Sequence, residues 1–371
     1  MQKLMYVVPE DFGFISHRLA LAKKMMALGS MVSVVTSINN HGKIISDEGI
    51  KLIELTQSKN NLKRYAGSFK IILNLISIYR RENPDIVHHF TIRMVILGSI
   101  AAIFSKKIQV VNTITGLGSV FISHRLKYKL IRSIISTSLR LLLPGTNTTV
   151  QNHDDYKFIK KLGIPKDKIH LILGSGVDTD LYTPYKKSNQ IPIIALPSRM
   201  LWVKGVGEFV KAGRILKKTV KCKLVLIGSN DNNNPDSIDI EQLIKWQDEG
   251  VIEWWGHQTD MVSILKMIDI VCFPSYREGL PKSLLEAASS GIPIVTTDSP
   301  GCREVVKNSI NGFLVPSRDF KALIEPLKVL VENNKLRSVM GNAGREKIMS
   351  ELSSDIIIQQ NINLYKNINH E

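Results

Sequence analysis

The sequence predicts an α/β protein of two domains, each built on a parallel β-sheet that helices cover on both faces. Short runs of β-branched and aliphatic residues alternate with longer amphipathic stretches along all 371 residues, as they do in successive β-α-β units. The strand-like runs are almost continuously apolar, which is typical of strands buried on both faces. A segment rich in turn-forming residues, 174–190, interrupts the alternation and predicts a linker.

The first half of the chain begins with an apolar run and continues in strict alternation. Its first helix has both boundary signals, with Ser16 as the N-cap and Gly29 just past the end. The predicted helices are 16–28, 62–81, 93–105 and 123–142. The predicted strands are 4–8, 31–36, 50–55, 85–89, 108–113, 148–151 and 169–173.

The alternation restarts after the linker. A helix is predicted from Pro281 to about residue 290, because proline suits the first helical position and Gly291 closes the last turn. The predicted strands are 191–197, 223–227, 251–255, 270–273 and 293–297. The predicted domains are 1–180 and 190–350, followed by a helix at 351–371 that packs back toward the N-terminal domain.

The positive charge is concentrated in the first half. Residues 1–190 contain 27 Lys and Arg against 12 Asp and Glu, and they carry nearly all of the net charge of +16. A one-sided basic surface suits a polyanion, which could be nucleic acid, an anionic membrane leaflet or a phosphorylated substrate.

The cysteine content and the hydropathy of the sequence indicate the cellular compartment of the protein. Cys222, Cys272 and Cys302 form no C-x-x-C pair, so a reduced, cytosolic protein is the simplest interpretation. The N-terminus lacks the layout of a signal peptide, and no apolar run reaches the roughly 18–20 residues of a transmembrane helix. We therefore expect a cytoplasmic protein that is soluble or peripheral to a membrane.

The segment PSYREGLPKSLLEAASSGIP, 274–293, is the most informative part of the sequence. It predicts a strand, a loop that carries Glu278 and Gly279, and a helix that carries Glu286. A helix N-terminus presents free N–H groups and suits a diphosphate. Carboxylates beside it can accept hydrogen bonds from sugar or ribose hydroxyls, so the segment predicts a site for a phosphorylated sugar.

Two cations follow the first strand of the second half. Arg199 and Lys204 belong to a strand-to-helix loop at the same sheet end as Glu278. Arginine binds phosphate through two parallel hydrogen bonds and lysine supplies a point charge. Together they would neutralise a departing diphosphate.

The combined pattern of Arg199, Lys204, Glu278 and Glu286 resembles the donor site of glycosyltransferase family 4, which has the GT-B fold. The stretches NTITGLGSVF, VQNHDD and GSGVDTDLY resemble bacterial members that extend lipid-linked oligosaccharides of O-antigen and capsule. The resemblance covers most of the chain. It implies two Rossmann-like domains with parallel sheets facing across a cleft.

The resemblance implies a role for each donor-site residue. Arg199 and Lys204 would bind the donor diphosphate, Glu278 would contact the donor sugar as a catalytic residue, and Glu286 would hold the ribose. Backbone amides would bind donor oxygens, and the residues concerned are Gly279, Leu280 and Leu284. Pro281 departs from the family pattern, because many members have glycine there and proline lacks an N–H.

The acceptor is expected on the N-terminal domain. Gly13 lies in the loop after the first strand and permits close approach of a ligand to the backbone. His17 and Arg18, at a helix start, are candidates for an acceptor phosphate. The family often has a functional histidine after the strand that reads DIVHHF, which points to His88 or His89. Strand alternation lets only one of them face the cleft, and we favour His88 as a catalytic residue.

No metal and no cofactor are expected. Asp178 and Asp180 form a D-x-D sequence, but it lies in the linker where turn chemistry explains it. The other histidines lack metal-ligand spacing, and no G-x-G extends to the dinucleotide fingerprint.

The helix predicted at 123–142 is amphipathic and basic. Its basic residues lie largely away from the apolar stripe, which suits an anionic lipid surface. A core-facing helix with a solvated basic back explains the same pattern, and both interpretations also apply to 62–81. The basic residues are Arg125, Lys129, Arg132 and Arg140, and the apolar ones are Leu126, Leu130, Ile131, Ile134, Ile135, Leu139 and Leu142.

The resemblance implies a retaining, α-forming hexosyltransferase. It would move a hexose or N-acetylhexosamine from a nucleotide diphosphate sugar, UDP being the first choice, to a polyprenyl-diphosphate-linked saccharide at the inner face of the membrane. A nucleotide-sugar 2-epimerase or hydrolase on the same fold is an alternative. A basic nucleic-acid-binding protein is another, although aromatic residues are only 6% of the chain and no binding motif is present.

Overall fold

A computed structural model describes residues 1–55, 64–105, 108–121, 126–185, 189–231 and 234–368. The chain divides into two compact units, which we call the N-terminal unit (Met1–Ser175 with Ile357–Glu371) and the C-terminal unit (Gly176–Ile356). Each unit has its own parallel sheet and its own core, so the predicted pair of Rossmann-like α/β domains is confirmed.

The sheet of the N-terminal unit has seven parallel strands in the order β3-β2-β1-β4-β5-β6-β7. The strand order reverses between β1 and β4, which is where open α/β sheets bind ligands beyond the carboxyl ends of the strands. The strands are β1 Lys3–Glu10, β2 Met31–Ser37, β3 Lys51–Glu54, β4 Ile86–Phe90, β5 Gln109–Ile114, β6 Asn147–Val150 and β7 Ile169–Leu171.

Helices cover both faces of this sheet. They are α1 Asp11–His17, α2 Leu19–Ala27, α3 Gly42–Asp47, α4 Arg64–Glu82, α5 Thr91–Ile103, α6 Leu126–Leu142 and α7 His153–Lys161. The first helix begins at Asp11, five residues before the predicted start, and it breaks at Arg18, whose backbone is not helical. Residues 62–63 and 123–125 of the predicted helices, Arg125 among them, lie outside the described residues.

The sheet of the C-terminal unit has six parallel strands in the order β10-β9-β8-β11-β12-β13. Its order reverses between β8 and β11. The strands are β8 Ile193–Pro197, β9 Lys223–Ile227, β10 Glu253–Trp254, β11 Ile270–Phe273, β12 Ile294–Thr297 and β13 Gly312–Val315. The helices are α8 Val206–Leu216, α9 Ile240–Asp248, α10 Met261–Met267, α11 Lys282–Ser289, α12 Cys302–Val305, α13 Ile324–Glu332 and α14 Asn334–Lys347.

The last helix, α15, spans Ser354–Ile368. From Ile357 onward it belongs to the N-terminal unit. Its apolar side chains, including Ile362 and Tyr365, are buried in the same core cluster as Leu4 and Tyr6 of β1. Within the described part of the chain, no helix has both the length and the hydropathy that a membrane span requires.

Candidate functional site

Glycine brings two loops together where the C-terminal sheet reverses its order. The loop after β8 ends in a short 3-10 helix, Trp202–Lys204, and Gly205 follows with φ +76°. A Cβ at Gly205 would lie 2.2 Å from the carbonyl oxygen of Pro274, in the loop after β11, so only glycine fits. The N–H of Tyr276 donates to the Val203 carbonyl at 3.0 Å and ties the two loops together.

This approach pairs Lys204 with Glu278. The Lys204 Nζ lies 2.6 Å from Oε1 of Glu278, and the two side chains are only 17% and 13% exposed. The Ser275 hydroxyl donates to the same carboxylate oxygen at 2.5 Å. An ion pair that is mostly removed from water needs such extra hydrogen bonds to offset its desolvation. The carboxylate of Glu278 is therefore held in one position beside a positive charge.

The loop after β12 packs against the loop that carries Glu278 and holds it in place. Gly301 has φ +80°, and a Cβ there would lie 2.6 Å from the carbonyl oxygen of Gly279. The N–H of Glu278 donates to Pro300 at 3.0 Å, and the hydroxyls of Thr297 and Ser299 donate to the Ser275 carbonyl. Three adjacent strand ends, those of β8, β11 and β12, thus position Glu278.

The helix after Glu278 starts one residue later than predicted. Pro281 is the N-cap of α11 and supplies no side-chain cap, since its side chain has no acceptor. The first turn closes with a hydrogen bond from the Leu284 N–H to the Pro281 carbonyl at 3.1 Å. The predicted use of the Leu284 amide by a donor is therefore wrong in this conformation, and its side chain is fully buried. Gly279 and Leu280 lie in the loop before the helix, as predicted.

Glu286 lies one turn into α11 and is 8% exposed. Burial raises the pKa of its carboxyl, and Lys282, whose Nζ lies 3.8 Å away, and the Tyr182 hydroxyl act against that rise. The second carboxylate is thus partnered by a cation and a phenol.

Arg199 lies in the loop after β8, as predicted, but its ion-pair partner is Asp231. The Nη1 of Arg199 lies 3.0 Å from Asp231, and its side chain is 58% exposed. A surface pair of this kind contributes about 0–1 kcal/mol, so Arg199 can exchange Asp231 for a phosphate at small cost.

The two candidate histidines of the N-terminal unit both lie inside its core. His88 contacts the Tyr365 hydroxyl through Nδ1 and the Thr113 hydroxyl through Nε2, both at 2.6 Å. His89 contacts Asn112 and Tyr79, both at 2.8 Å. Both imidazoles are 0% exposed.

Burial lowers the pKa of His88 well below its ordinary value and that of His89 to about 4. The prediction that one of them faces open space is wrong, because both faces of the parallel sheet are covered: α15 covers His88, and α4 and α5 cover His89. Neither imidazole has a ring nitrogen left for a substrate in this conformation.

The candidates Gly13, His17 and Arg18 follow β1, which borders the reversal of the N-terminal sheet. A Cβ at Gly13 would meet nothing within 4 Å, so the space beside it is open. The exposed His17 contacts the Ser175 hydroxyl at 3.2 Å through Nδ1. Arg18 is 5% exposed, and its guanidinium carbon lies 4.3 Å from the centre of the Phe90 ring.

One face of α6 exposes apolar side chains. We call it the α6 face, and its members are Leu126, Leu130, Ile131, Ile134 and Leu141. Among the described side chains of α6, only Leu139 is buried, and Leu143, the residue after the helix, is buried too. Lys129 and Arg140 are exposed on the same helix. Most of the predicted stripe is thus uncovered within the N-terminal unit, although Leu139 belongs to the core.

Sequence reasoning missed several residues that hold the site. Ser275 and Tyr182 orient the two carboxylates, and the Tyr276 hydroxyl donates to Glu208 at 2.7 Å. Ser275 could have been found, because it comes directly after a buried strand and three residues before Glu278. Tyr182 lies in the linker and gives no local signal. Among the described residues, no group of three or more His, Cys, Asp or Glu could hold a metal ion.

Comparison with known proteins gives consistent matches along the chain. The family described as glycosyl transferases group 1 matches residues 181–347, and the family described as glycosyl transferase 4-like matches 3–143. The chain is 28% identical to N,N'-diacetylbacillosaminyl-diphospho-undecaprenol alpha-1,3-N-acetylgalactosaminyltransferase of Campylobacter jejuni, over 96% of this chain and 98% of that protein.

A second relative and a solved structure also match most of the chain. The chain is 25% identical to UDP-Gal:alpha-D-GlcNAc-diphosphoundecaprenol alpha-1,3-galactosyltransferase of Escherichia coli, over 76% of this chain and 75% of that one. Among solved structures, sucrose-phosphate synthase of Thermosynechococcus elongatus shares the fold with a TM-score of 0.84 at 17% identity, and the match covers 100% of both chains.

Proposed function

The chain belongs to the group 1, family 4-like glycosyltransferases, and from that premise we propose a specific reaction for it. It transfers a hexose or N-acetylhexosamine, with retention and hence α-linkage, from a nucleotide diphosphate sugar to a polyprenyl-diphosphate-linked saccharide in cell-surface polysaccharide assembly. Two relatives support this choice, because their names specify diphosphoundecaprenol acceptors and alpha-1,3 linkages. One name specifies UDP-Gal, and we take UDP as the donor nucleotide.

The observation that carries the proposal is the Lys204–Glu278 pair at the reversal of the C-terminal sheet, with Nζ and Oε1 2.6 Å apart. Ligands of open α/β sheets bind at this place. Lys204 and Arg199 would neutralise the diphosphate, and the amides of Gly279 and Leu280 would bind donor oxygens. Glu278 would accept a hydrogen bond from a sugar hydroxyl, and Glu286 from the ribose.

The reaction is a displacement on one face of the sugar. The acceptor hydroxyl forms the new bond to the anomeric carbon while the bond from that carbon to the diphosphate oxygen breaks. The hydroxyl proton passes to an oxygen of the departing phosphate. Lys204 and Arg199 stabilise the negative charge that develops on the leaving group, and positioning supplies much of the rest of the rate. This scheme needs no metal and no cofactor.

The acceptor is expected on the N-terminal unit, at Gly13, His17 and Arg18. The α6 face supports membrane attachment, because exposed apolar side chains next to Lys129 and Arg140 suit an anionic leaflet. The enzyme would then be cytoplasmic and peripheral to the inner face of the membrane. Leu130→Glu should reduce sedimentation with anionic vesicles several-fold, whereas Leu139→Glu, in the core, should unfold the chain instead.

The test is a transfer assay in EDTA with purified protein, UDP- and GDP-sugars and a synthetic polyprenyl-diphosphate sugar. Sugar should move to the lipid, and Lys204→Ala should abolish transfer while Lys211→Ala, an exposed lysine on α8, should not. Donor consumption without lipid would favour the epimerase or hydrolase. Failure to bind any nucleotide sugar, together with a salt-dependent gel shift, would favour the nucleic-acid binder.

A further inference from the structure

Arg345, on α14, ties together two segments of the C-terminal unit that meet next to Glu286. Its Nη1 lies 2.7 Å from the Tyr182 carbonyl oxygen and from the Ser289 hydroxyl, and 3.0 Å from the Ser289 carbonyl oxygen. Its Nη2 donates to the Thr179 carbonyl at 2.9 Å. Each of these partners is a neutral oxygen, so one guanidinium bridges the linker to the last residue of α11.

The close packing of α14 on α11 determines where Arg345 lies. A Cβ at Gly341 would lie 2.0 Å from the carbonyl oxygen of Gly291, so the backbone of α14 lies directly against the glycine that follows α11. Arg345 comes one turn after Gly341 on the same face of α14, over the end of α11. The last carbonyls of a helix have no intrahelical donor, so a cation is favourable there.

The part of the linker that Arg345 contacts, residues 178–182, forms neither a helix nor a strand, and we call it the linker turn. The Asp178 carboxylate accepts hydrogen bonds from two backbone N–H groups within the turn and closes it locally. The Tyr182 carbonyl accepts one bond from the Ser289 hydroxyl, at 2.7 Å, and one from Arg345. These bonds to α11 and α14 hold the backbone that carries the Tyr182 ring.

The Tyr182 hydroxyl connects the linker turn to the candidate site. It donates a hydrogen bond to the carboxylate of Glu286, which is 8% exposed on α11. A buried carboxylate keeps the orientation that its hydrogen bonds impose, because little water competes for it. The position of the Tyr182 ring therefore determines how Glu286 is presented to a ligand hydroxyl.

We propose that Arg345 is a positioning residue for the donor nucleotide: by holding the linker turn it keeps the Tyr182 hydroxyl on Glu286, and it thereby sets a preference for ribose over 2′-deoxyribose. The inference rests on the proposed function, in which Glu286 binds the ribose. Without Arg345 the linker turn loses its bonds at Thr179 and Tyr182. Glu286 then turns toward its other partner, Lys282, whose Nζ lies 3.8 Å away.

Arg337 offers a matched control, because it makes the same kind of contact from the same helix. Its Nη1 donates to the carbonyls of Leu330 and Val331, in the last turn of α13, at 2.6 and 2.9 Å. Arg337→Met and Arg345→Met should therefore lower the thermal midpoint to a similar extent. Only Arg345→Met removes bonds to the linker turn, so only this variant should change how the nucleotide binds.

Calorimetric titration of the full chain with UDP, GDP and their 2′-deoxy forms measures the preference for ribose. The wild-type and Arg337→Met chains should bind the ribonucleotide about 10- to 100-fold more tightly than its 2′-deoxy form, the effect of one hydrogen bond to a carboxylate. Arg345→Met should reduce this preference to about threefold or less, and Arg345→Lys, which lacks the planar fork, should retain part of it. Tyr182→Phe should reduce it as Arg345→Met does, and the double variant should reduce it no further, since both act through one hydroxyl.

An undiminished preference in Arg345→Met, or an equal loss in Arg337→Met, overturns the role of Arg345 and leaves the proposed function intact. If Arg345→Met does not fold, a full preference in Arg345→Lys has the same meaning. Wild-type binding without any preference for ribose also overturns the inference alone. A wild-type chain that binds neither UDP nor GDP overturns the proposed function, and this inference with it.

Discussion

The two sheets reverse their strand order in the same way, yet the polar groups at the two reversals differ. In the C-terminal unit, Glu278 lies five residues beyond the end of β11 and is fixed by Lys204 and Ser275. In the N-terminal unit, His88 and His89 lie within β4 itself and are enclosed on both sides. A polar residue inside a strand of a doubly covered sheet becomes part of the core, whereas one beyond the strand end reaches the ligand edge.

The largest effect should come from the carboxylate beyond the strand. Glu278→Gln keeps the shape but removes the charge that pairs with Lys204, and we expect kcat/KM to fall about 100- to 1,000-fold. The measurement is transfer to the lipid acceptor at saturating donor. Glu253→Gln, 49% exposed on β10, is the matched control and should retain full activity. Equal loss in both variants would remove the distinction between the two carboxylates.

The second-largest effect should be a loss of stability when His88, within β4, is replaced. His88→Leu leaves the buried Tyr365 hydroxyl without its partner, so we expect a loss of about 2–4 kcal/mol in the free energy of unfolding. Adding Tyr365→Phe removes the orphaned hydroxyl and should recover part of that loss. Denaturant unfolding measures both. Activity per folded molecule should change by less than a few-fold, and a loss like that of Glu278→Gln would restore a catalytic role to His88.

The stability of the fold should depend on pH, because His88 and His89 are buried within a strand. The pKa of His88 and of His89, the latter about 4, lies below the unfolded value of 6.5. Between these values the unfolded chain binds protons that the folded chain excludes, so stability is complete above about pH 6.5 and falls toward pH 4. The loss at pH 5 is about 2 kcal/mol for His89, and His88 adds a loss in the same direction.

Thermal midpoints at pH 7 and pH 5 test this prediction. His89→Gln should lower the midpoint at pH 7 but flatten the pH dependence, whereas His257→Gln, at an exposed position, should leave the slope unchanged. A wild-type chain with no loss between pH 7 and pH 5 would mean that the histidines are not held neutral by the fold.

The smallest effect should come from glycine. Gly13→Ala places a methyl in open space within α1, and it should stabilise the fold by about 0.5–1 kcal/mol. Transfer should nevertheless fall several-fold if a ligand occupies that space. Gly98→Ala is the opposite case, because its Cβ would lie 2.4 Å from the His89 ring, and it should destabilise. Unchanged turnover in Gly13→Ala would remove Gly13 from the acceptor site.

The architecture and the position of the loop that carries Glu278 could be predicted from the sequence. Apolar periodicity located most strands, and Pro281 and Gly291 marked α11 to within one residue. The burial and the partners of a polar residue could not be predicted where they depend on residues distant in sequence. Tyr365 covers His88 from 277 residues away, and Arg199 pairs with Asp231 in another loop. Local pattern shows that a residue is polar, but only packing decides whether it is buried.

The helix that covers His88 also bears on how the chain is made. Residues 357–368 leave the ribosome after the whole C-terminal unit, yet their side chains complete the core that β1 begins. The N-terminal unit therefore begins to emerge before the C-terminal unit, but it cannot complete its core until the C-terminal unit has been made. Until Tyr365 has emerged, the nascent chain exposes an unfilled apolar face and a His88 imidazole without its Tyr365 partner, so a chaperone that binds such surfaces would be retained until residues 357–368 are made.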